Sequence, residues 1–147
     1  MNYTKDEFRR IALDNRYELL RSLSYFSRRA GQGPASSAYA VTQEAIKRGF
    51  VAQRKPVSGI VFDGWIRDKN PPAWAVRGAL FLLLDEAAFS PSENEMASIA
   101  LTLAELFPDK NEGELLAFLQ GQLATLPWSE VVSLACKVRK SRIKKLS

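Results

Sequence analysis

The chain has 147 residues, enough for one hydrophobic core, and its 46% apolar and 25% charged residues are typical of a globular rather than a disordered protein. It contains no histidine and one cysteine, Cys136, which excludes an intrachain disulfide, the usual zinc sites and histidine-activated nucleophiles. The net charge of +5 is uneven: residues 1–30 and 31–70 carry +3 each, residues 71–129 carry −6 and residues 130–147 carry +5.

The first predicted helix covers residues 4–30. Thr4 followed three residues later by Glu7 forms a capping box, apolar residues recur behind it near helical spacing, and Gly31 ends the helix. Its other face is rich in arginine, with Arg9, Arg10, Arg16, Arg21, Arg28 and Arg29.

Two further helices are predicted before residue 70. One starts at Ser36 or Ser37, either of which is a suitable N-cap, ends at Arg48, and leads into a loop. The next covers residues 58–69. Because each of its two glycines costs about 1 kcal/mol relative to alanine, tertiary packing must hold this helix together. A strand over residues 57–62 is the alternative.

Asn-Pro-Pro at residues 70–72 marks a boundary, because a residue before proline avoids the helical region. Nearly every residue from 73 to 89 is apolar, and a helix that is apolar on all sides is a buried one. We therefore predict residues 73–89 as the central core helix. A second capping box, Ser90 with Glu93, and Pro91 at the first helical position then start another helix.

Two more helices complete the prediction. Asn111 caps a short one, and the last covers residues 128–145 and ends in a cluster of lysines and arginines. The expected fold is all-α, a compact bundle of six or seven helices around the central apolar helix. We expect one domain over residues 1–147, with a division into 1–89 and 90–147 left open.

Residues 58–84 resemble the second half of the helix-turn-helix of phage lysogeny regulators of the Cro and repressor type. In that family a recognition helix ends in a tryptophan, a basic residue follows, and a proline six or seven positions on opens the next core helix. Trp-Ile-Arg-Asp-Lys-Asn-Pro-Pro at residues 65–72 has this spacing. The resemblance implies that Ser58 faces the major groove and that Arg67 and Lys69 reach phosphates. The alternative is a buried tryptophan before a proline-capped core helix.

The expected function is therefore that of a DNA-binding transcriptional regulator of prophage type, non-enzymatic and homodimeric, with double-stranded DNA as its partner. The candidate DNA-contacting residues are Arg54, Lys55, Ser58, Arg67, Lys69, Lys137, Lys140, Arg142 and Lys144.

Two alternatives stay open. The first is an adaptor or inhibitor that offers the acidic segment from Glu93 to Glu114 to a protein partner. The second is that the acidic middle of the chain neutralises its basic ends, and that the basic tail is a solvated helix terminus.

The sequence also bears on location and cofactors. The N-terminal segment is polar, and the longest apolar run, Ala79–Leu84, is far shorter than the roughly 20 residues of a membrane span. With a single cysteine, these features favour a cytoplasmic protein with no membrane partner. No residue pattern indicates a cofactor or a metal ligand set, so we expect neither.

Overall fold

The computed structural model describes residues 3–123 and 126–139, and within these ranges every regular element is a helix. The all-α fold predicted from the sequence is confirmed, and the strand alternative for residues 57–62 is wrong. The helices are α1 (Lys5–Asp14), α2 (Tyr17–Arg29), α3 (Pro34–Lys47), α4 (Gly59–Arg67), α5 (Ala73–Leu84), α6 (Glu93–Leu106), α7 (Glu112–Gln122) and α8 (Trp128–Val138). None of the described helices is long and apolar enough to cross a membrane.

The helix predicted over residues 4–30 is two helices, which brings the number in the described ranges to eight. The chain leaves α1 after Asp14 and turns through Asn15 and Arg16 before α2 begins. Aspartate and asparagine are weak helix formers, because their side chains compete for backbone hydrogen bonds. The predicted capping box is present: Glu7 N–H donates to Thr4 Oγ1 at 3.1 Å, and Thr4 N–H donates to Glu7 Oε1 at 3.2 Å.

The chain divides into two compact units. We call residues 15–89, which contain α2 to α5, the insert unit. Residues 1–14 and 90–147 form the terminal unit, so α1 packs with helices that lie far away in the sequence. The boundary near residue 90 coincides with the division left open above, whereas the first fourteen residues lie on the other side of it.

In the insert unit, α5 packs against α2 and α3. A Cβ atom added at Gly78 would lie 2.8 Å from the Val41 carbonyl oxygen, closer than real Cβ contacts come, so glycine lets α5 approach the α3 backbone. The helix ends at Leu84, five residues before the predicted end, and Asp85 caps it. A carboxylate is unfavourable near a helix C-terminus, because that is the negative end of the helix dipole. Trp74 at its start is partly exposed.

The N-terminus of α3 also differs from the prediction. Gly33 is the N-cap residue and Pro34 the first helical residue, a position that suits a residue without an N–H group. Ser37, predicted as a cap, is instead buried inside the helix, and its hydroxyl lies 2.7 Å from that of Ser27 on α2.

In the terminal unit, α6 packs against α1 and α8, and residues 95–104 are all buried. Its capping box is formed by Ser92 and Glu95, two residues later than predicted, so the proline at 91 precedes the cap rather than opening the helix. Asn111 caps α7, as predicted, with Glu114 completing that capping box.

The last described helix is held at both ends. The Trp128 indole N–H donates to the Leu123 carbonyl at 3.0 Å, and the Arg9 guanidinium on α1 donates to the Val138 carbonyl at 2.9 Å. The helix predicted over residues 128–145 ends at Val138, because Arg139 is its C-cap residue and has an extended backbone (φ −64°, ψ 151°), so the predicted end is wrong. Residues 140–147 lie outside the described ranges.

Candidate nucleic-acid interface

The short helix α4 is set against the insert unit by its first residues and by one aromatic side chain. Ser58 is the N-cap, and its hydroxyl accepts a hydrogen bond from the Val61 N–H at 3.2 Å. A Cβ atom added at Gly59 would lie 2.9 Å from the Ala35 backbone nitrogen, so glycine allows the N-terminus of α4 to contact that of α3. Phe62 is fully buried and anchors the helix from below.

The opposite face of α4 points outward. Ile60, Asp63, Gly64 and Arg67 follow the i, i+3, i+4, i+7 spacing of a single helix face, and all are exposed except the half-buried Gly64. A Cβ atom at Gly64 would lie 3.4 Å from a terminal nitrogen of the Arg67 guanidinium. The arginine therefore extends back along the helix, to within about one turn of Ile60.

The C-terminus of α4 places Lys69 in an unusual backbone conformation. The Asn70 N–H donates to the Trp65 carbonyl at 3.0 Å and the Lys69 N–H to the Ile66 carbonyl at 3.3 Å, the two bonds of a Schellman motif. Lys69 has φ 55°, the one positive-φ residue other than glycine among the described residues. Its ammonium nitrogen lies 5.4 Å from the ring centroid of Tyr17, within the range of a cation–π interaction.

A chain of side-chain contacts joins the preceding loop to α4. Trp65 on α4 and Trp74 on α5 pack edge to face, with ring centroids 5.7 Å apart and an interplanar angle of 88°. The Arg54 guanidinium carbon lies 5.2 Å from the Trp74 ring centroid, and Arg54 Nε donates to the Lys55 carbonyl at 3.2 Å. Arg54 is therefore held beside the C-terminal half of α4.

The predicted residues fall into three groups. Arg54, Lys55, Arg67 and Lys69 are exposed in the insert unit and flank α4, and Ser58 is exposed at its N-terminus with one oxygen lone pair used for capping. Lys137 is exposed on α8, in the terminal unit. The remaining three, Lys140, Arg142 and Lys144, lie outside the described ranges.

The connection between α3 and α4 is longer than the tight turn of a helix-turn-helix. That motif joins its helices by a turn of about three or four residues, whereas residues 48–58 connect α3 to α4 here. Because Gly59 lies against the first turn of α3, the connection returns along the helix, whose 14 residues span about 21 Å. Any DNA contact by α4 thus rests on its exposed face rather than on that turn.

The positive charge of the protein is concentrated in the insert unit. This unit has eleven basic and six acidic side chains, a net charge of +5. The terminal unit has ten basic and ten acidic side chains over residues 1–14 and 90–147, a net charge of zero. The first turn of α4 carries no acidic side chain, so nothing offsets the positive end of its dipole there.

The sequence analysis missed the apolar part of the outer face. Ile60 is 84% exposed and Val61 44% exposed, so the first turn of α4 presents two branched apolar side chains beside the cations. The signal was in the sequence, because an i, i+3, i+4, i+7 template drawn through Arg67 passes through Ile60. No pattern in the sequence predicts the left-handed backbone conformation of Lys69.

The terminal unit has an open cleft of about 400 Å³ at the end of α6, lined by Leu106, Phe107, Pro108, Asp109, Lys110 and Glu114. Lys110 bridges it, with its ammonium 5.9 Å from the Phe107 ring centroid and 4.0 Å from a Glu114 carboxylate oxygen. Across residues 3–123 and 126–139, no three acidic or cysteine side chains are grouped so that they could hold a metal ion.

Compared with known proteins, the chain matches no protein-family model, no curated protein and no solved structure.

Proposed function

We propose that this protein is a DNA-binding transcriptional regulator that contacts duplex DNA through α4 of the insert unit. The observation that carries the proposal is the position of exposed Arg67 and Lys69 at the C-terminal end of α4, with Arg54 near that end through Trp74 and Trp65. The net charge of +5 on that unit gives it a long-range attraction for a polyanion.

The dimensions of α4 suit the major groove, which is about 12 Å wide and admits one helix. With the outer face of α4 in the groove, Arg67 and Lys69 at the C-terminal end approach one phosphate strand. Arg54 lies near the same end through the contact between Trp74 and Trp65, and Lys55 is the next residue along the chain. Phosphate contacts of this kind fix the position of a protein on DNA, and groups on the helix face distinguish the bases.

Fluorescence anisotropy with a labelled random-sequence duplex tests the proposal. Four phosphate contacts predict a slope of log K against log salt near −3.6, so the affinity should fall about 100-fold between 50 and 200 mM salt. No binding at 50 mM salt, or binding that does not change over this range, would contradict it.

A matched pair of variants locates the contact. Reversing Arg67 and Lys69 to glutamate should abolish binding, because two attractive contacts become repulsive ones. Reversal of Lys5 and Lys110, two exposed cations of the terminal unit, changes the net charge by the same amount; it is the control and should leave the affinity within about two-fold. Equal effects at both places would show that net charge alone, rather than α4, determines binding.

A second candidate function is an adaptor that docks on a basic protein partner through the terminal unit. The observations that favour it are the acidic segment from Glu93 to Glu114, which has six acidic residues and one basic residue, and the cleft beside Phe107, which is itself exposed. The glutamate variants at Arg67 and Lys69 separate the two functions, because the adaptor would keep its cellular activity when both are reversed.

A further inference from the structure

The first turn of α4 leaves apolar surface in water, about two turns before the cations at the C-terminal end of the helix. Ile60, at 84% exposure, and Val61, at 44%, precede Arg67 by about two turns. Burial of apolar side chains of this size is favourable, and this gain is not realised while the protein is free. Phe62, the next residue along the helix, is fully buried. Because its side chain points into the protein, the helix geometry leaves Ile60 and Val61 exposed.

The occupant of this surface must offer an apolar group to the first turn of α4 and negative charge toward its C-terminal end. Arg67 reaches back over Gly64 toward Ile60, while its Nε lies 3.3 Å from a carboxylate oxygen of Asp68. Lys69 follows the end of the helix, and Arg54 lies near that end through Trp74 and Trp65. The major groove of DNA has this pattern where it contains thymine, because the C5 methyl group projects into the groove between two rows of phosphates. The charges thus favour duplex DNA over an apolar protein surface.

We propose that Ile60 and Val61 contact thymine methyl groups in the major groove, so that the preferred duplex is rich in A·T pairs. The inference rests on the proposed function, since it assigns the base contacts of the same helix. Recognition helices contact base edges through their N-terminal residues, which is where these two side chains lie. The Ser58 hydroxyl, on one side, can hydrogen-bond with a base edge or a phosphate, whereas the Asp63 carboxylate, on the other, can only accept a hydrogen bond from a base amino group.

The test removes the methyl group and nothing else. Binding is compared between an alternating A·T duplex and the same duplex with deoxyuridine in place of every thymidine, which keeps the phosphates and the hydrogen-bonding groups. Loss of one buried methyl should weaken binding about four-fold, and loss of two about sixteen-fold. An alternating G·C duplex with 5-methylcytosine in place of cytosine, which adds a methyl at the equivalent position, should bind more tightly than its unmethylated form.

The double variant Ile60→Ala, Val61→Ala links the effect to the helix. Because both side chains are exposed, the variant should fold normally, keep the salt dependence of the wild type, and lose most of its discrimination between the two A·T duplexes. Phe118→Ala, which removes an exposed apolar side chain from the terminal unit, is the control and should discriminate as the wild type does.

The outcomes separate this inference from the proposed function. Equal affinity of the wild type for the thymidine and deoxyuridine duplexes, with a steep salt dependence, overturns the methyl contact and leaves DNA binding standing. Discrimination that persists when both Ile60 and Val61 are replaced by alanine also overturns it, since the methyl group is then sensed elsewhere. No binding to any of the duplexes at 50 mM salt overturns both proposals.

Discussion

Lys69 occupies a position that the same chain twice gives to glycine. The helices α2, α3 and α4 each end in a Schellman motif, and the residue after the C-cap is Gly31 (φ 78°), Gly49 (φ 77°) and Lys69 (φ 55°), respectively. A left-handed conformation costs a residue with a Cβ about 1–2 kcal/mol. Strain of this kind concentrates at functional sites, and the lysine lies at the edge of the proposed DNA contact.

We therefore expect Lys69→Gly to stabilise the protein and weaken DNA binding. Relief of the strain, less the greater chain entropy of glycine, should raise the free energy of unfolding by about 0.5–1 kcal/mol. Loss of one phosphate contact should make the salt slope shallower by about 0.9. Urea unfolding followed by circular dichroism and anisotropy on duplex DNA measure the two effects.

The reverse substitution is the control. Gly49→Lys places a lysine in the equivalent position after α3, where a Cβ atom meets open space, so only the backbone conformation opposes it. It should lower the free energy of unfolding by about 1–2 kcal/mol. If Lys69→Gly fails to stabilise while Gly49→Lys destabilises, the strain at Lys69 is compensated by its own contacts, and the functional argument from strain is lost.

A second prediction at this scale concerns Cys136. Partial burial raises the pKa of its thiol, Arg139 lowers that pKa by a smaller amount, and Glu112 raises it again. The thiolate is the reactive form, so the pH–rate profile of alkylation should have its midpoint above that of the same cysteine in the urea-unfolded chain. Arg139→Ala should move the midpoint higher and Glu112→Gln lower. A midpoint at or below that of the unfolded chain would contradict the assignment.

Individual residues show what the sequence could reveal of the candidate site. Arg67 and Lys69 were identified because they follow Trp65 directly, and proximity along the chain needs no tertiary information. Arg54 was identified only as a loop cation. Its attachment to α4 depends on the contact between Trp65 and Trp74, which the sequence does not encode as a pattern.

At the scale of elements, the predicted start of a helix is confirmed where the local sequence allows only one capping box. Asn111 has a single glutamate three residues on, and the capping box of α7 is confirmed there. In the segment before α6, Ser90 and Ser92 each have a glutamate at that spacing, so local rules allow two starts. The structure has the second capping box, Ser92 with Glu95, in which Glu95 is buried. Tertiary packing therefore decides between two starts that local rules allow equally. The break after Asp14 was missed because apolar residues continue at helical spacing across it.

The contact between α3 and α5 gives a test at the same scale. Gly78→Ala should lower the free energy of unfolding by about 1–3 kcal/mol, because its Cβ would meet the Val41 carbonyl oxygen at 2.8 Å and force the helices apart. Gly121→Ala on α7, where no atom lies within 4 Å of the added Cβ, should instead raise it by about 0.5–1 kcal/mol. Thermal unfolding of both variants measures the difference, and equal signs would refute the close packing.

At the scale of the whole molecule, the sequence had no signal for the pairing of residues 1–14 with the C-terminal helices. Non-local packing of this kind leaves no trace in a periodic pattern, because any apolar stripe fits many partners. Ser98 makes the pairing specific: its hydroxyl donates to the Ala12 carbonyl at 2.6 Å. The single domain expected from the sequence stays a prediction, which unfolding experiments on α1 can test.

Phe8→Ala tests the importance of α1 and the single-domain prediction together. Phe8 is fully buried, so its truncation should cost about 3–5 kcal/mol, whereas Arg10→Ala, on the exposed side of α1, should change stability by less than about 0.5 kcal/mol. In one cooperative domain, amide hydrogen exchange should accelerate equally in both units. Acceleration confined to α6 and α8 would show that the two units unfold independently.

The terminal unit is built from two separate segments of the chain, and this delays its folding during synthesis. α1 ends at Asp14 and α6 begins at Glu93, so at about 5–20 residues per second roughly 4–16 s pass before the first partner of α1 emerges. The insert unit is synthesised in full during that interval. The nascent chain meanwhile carries Phe8 and Ala12 uncovered near its leading end, and aggregation competes with folding until the last helix arrives to close the structure.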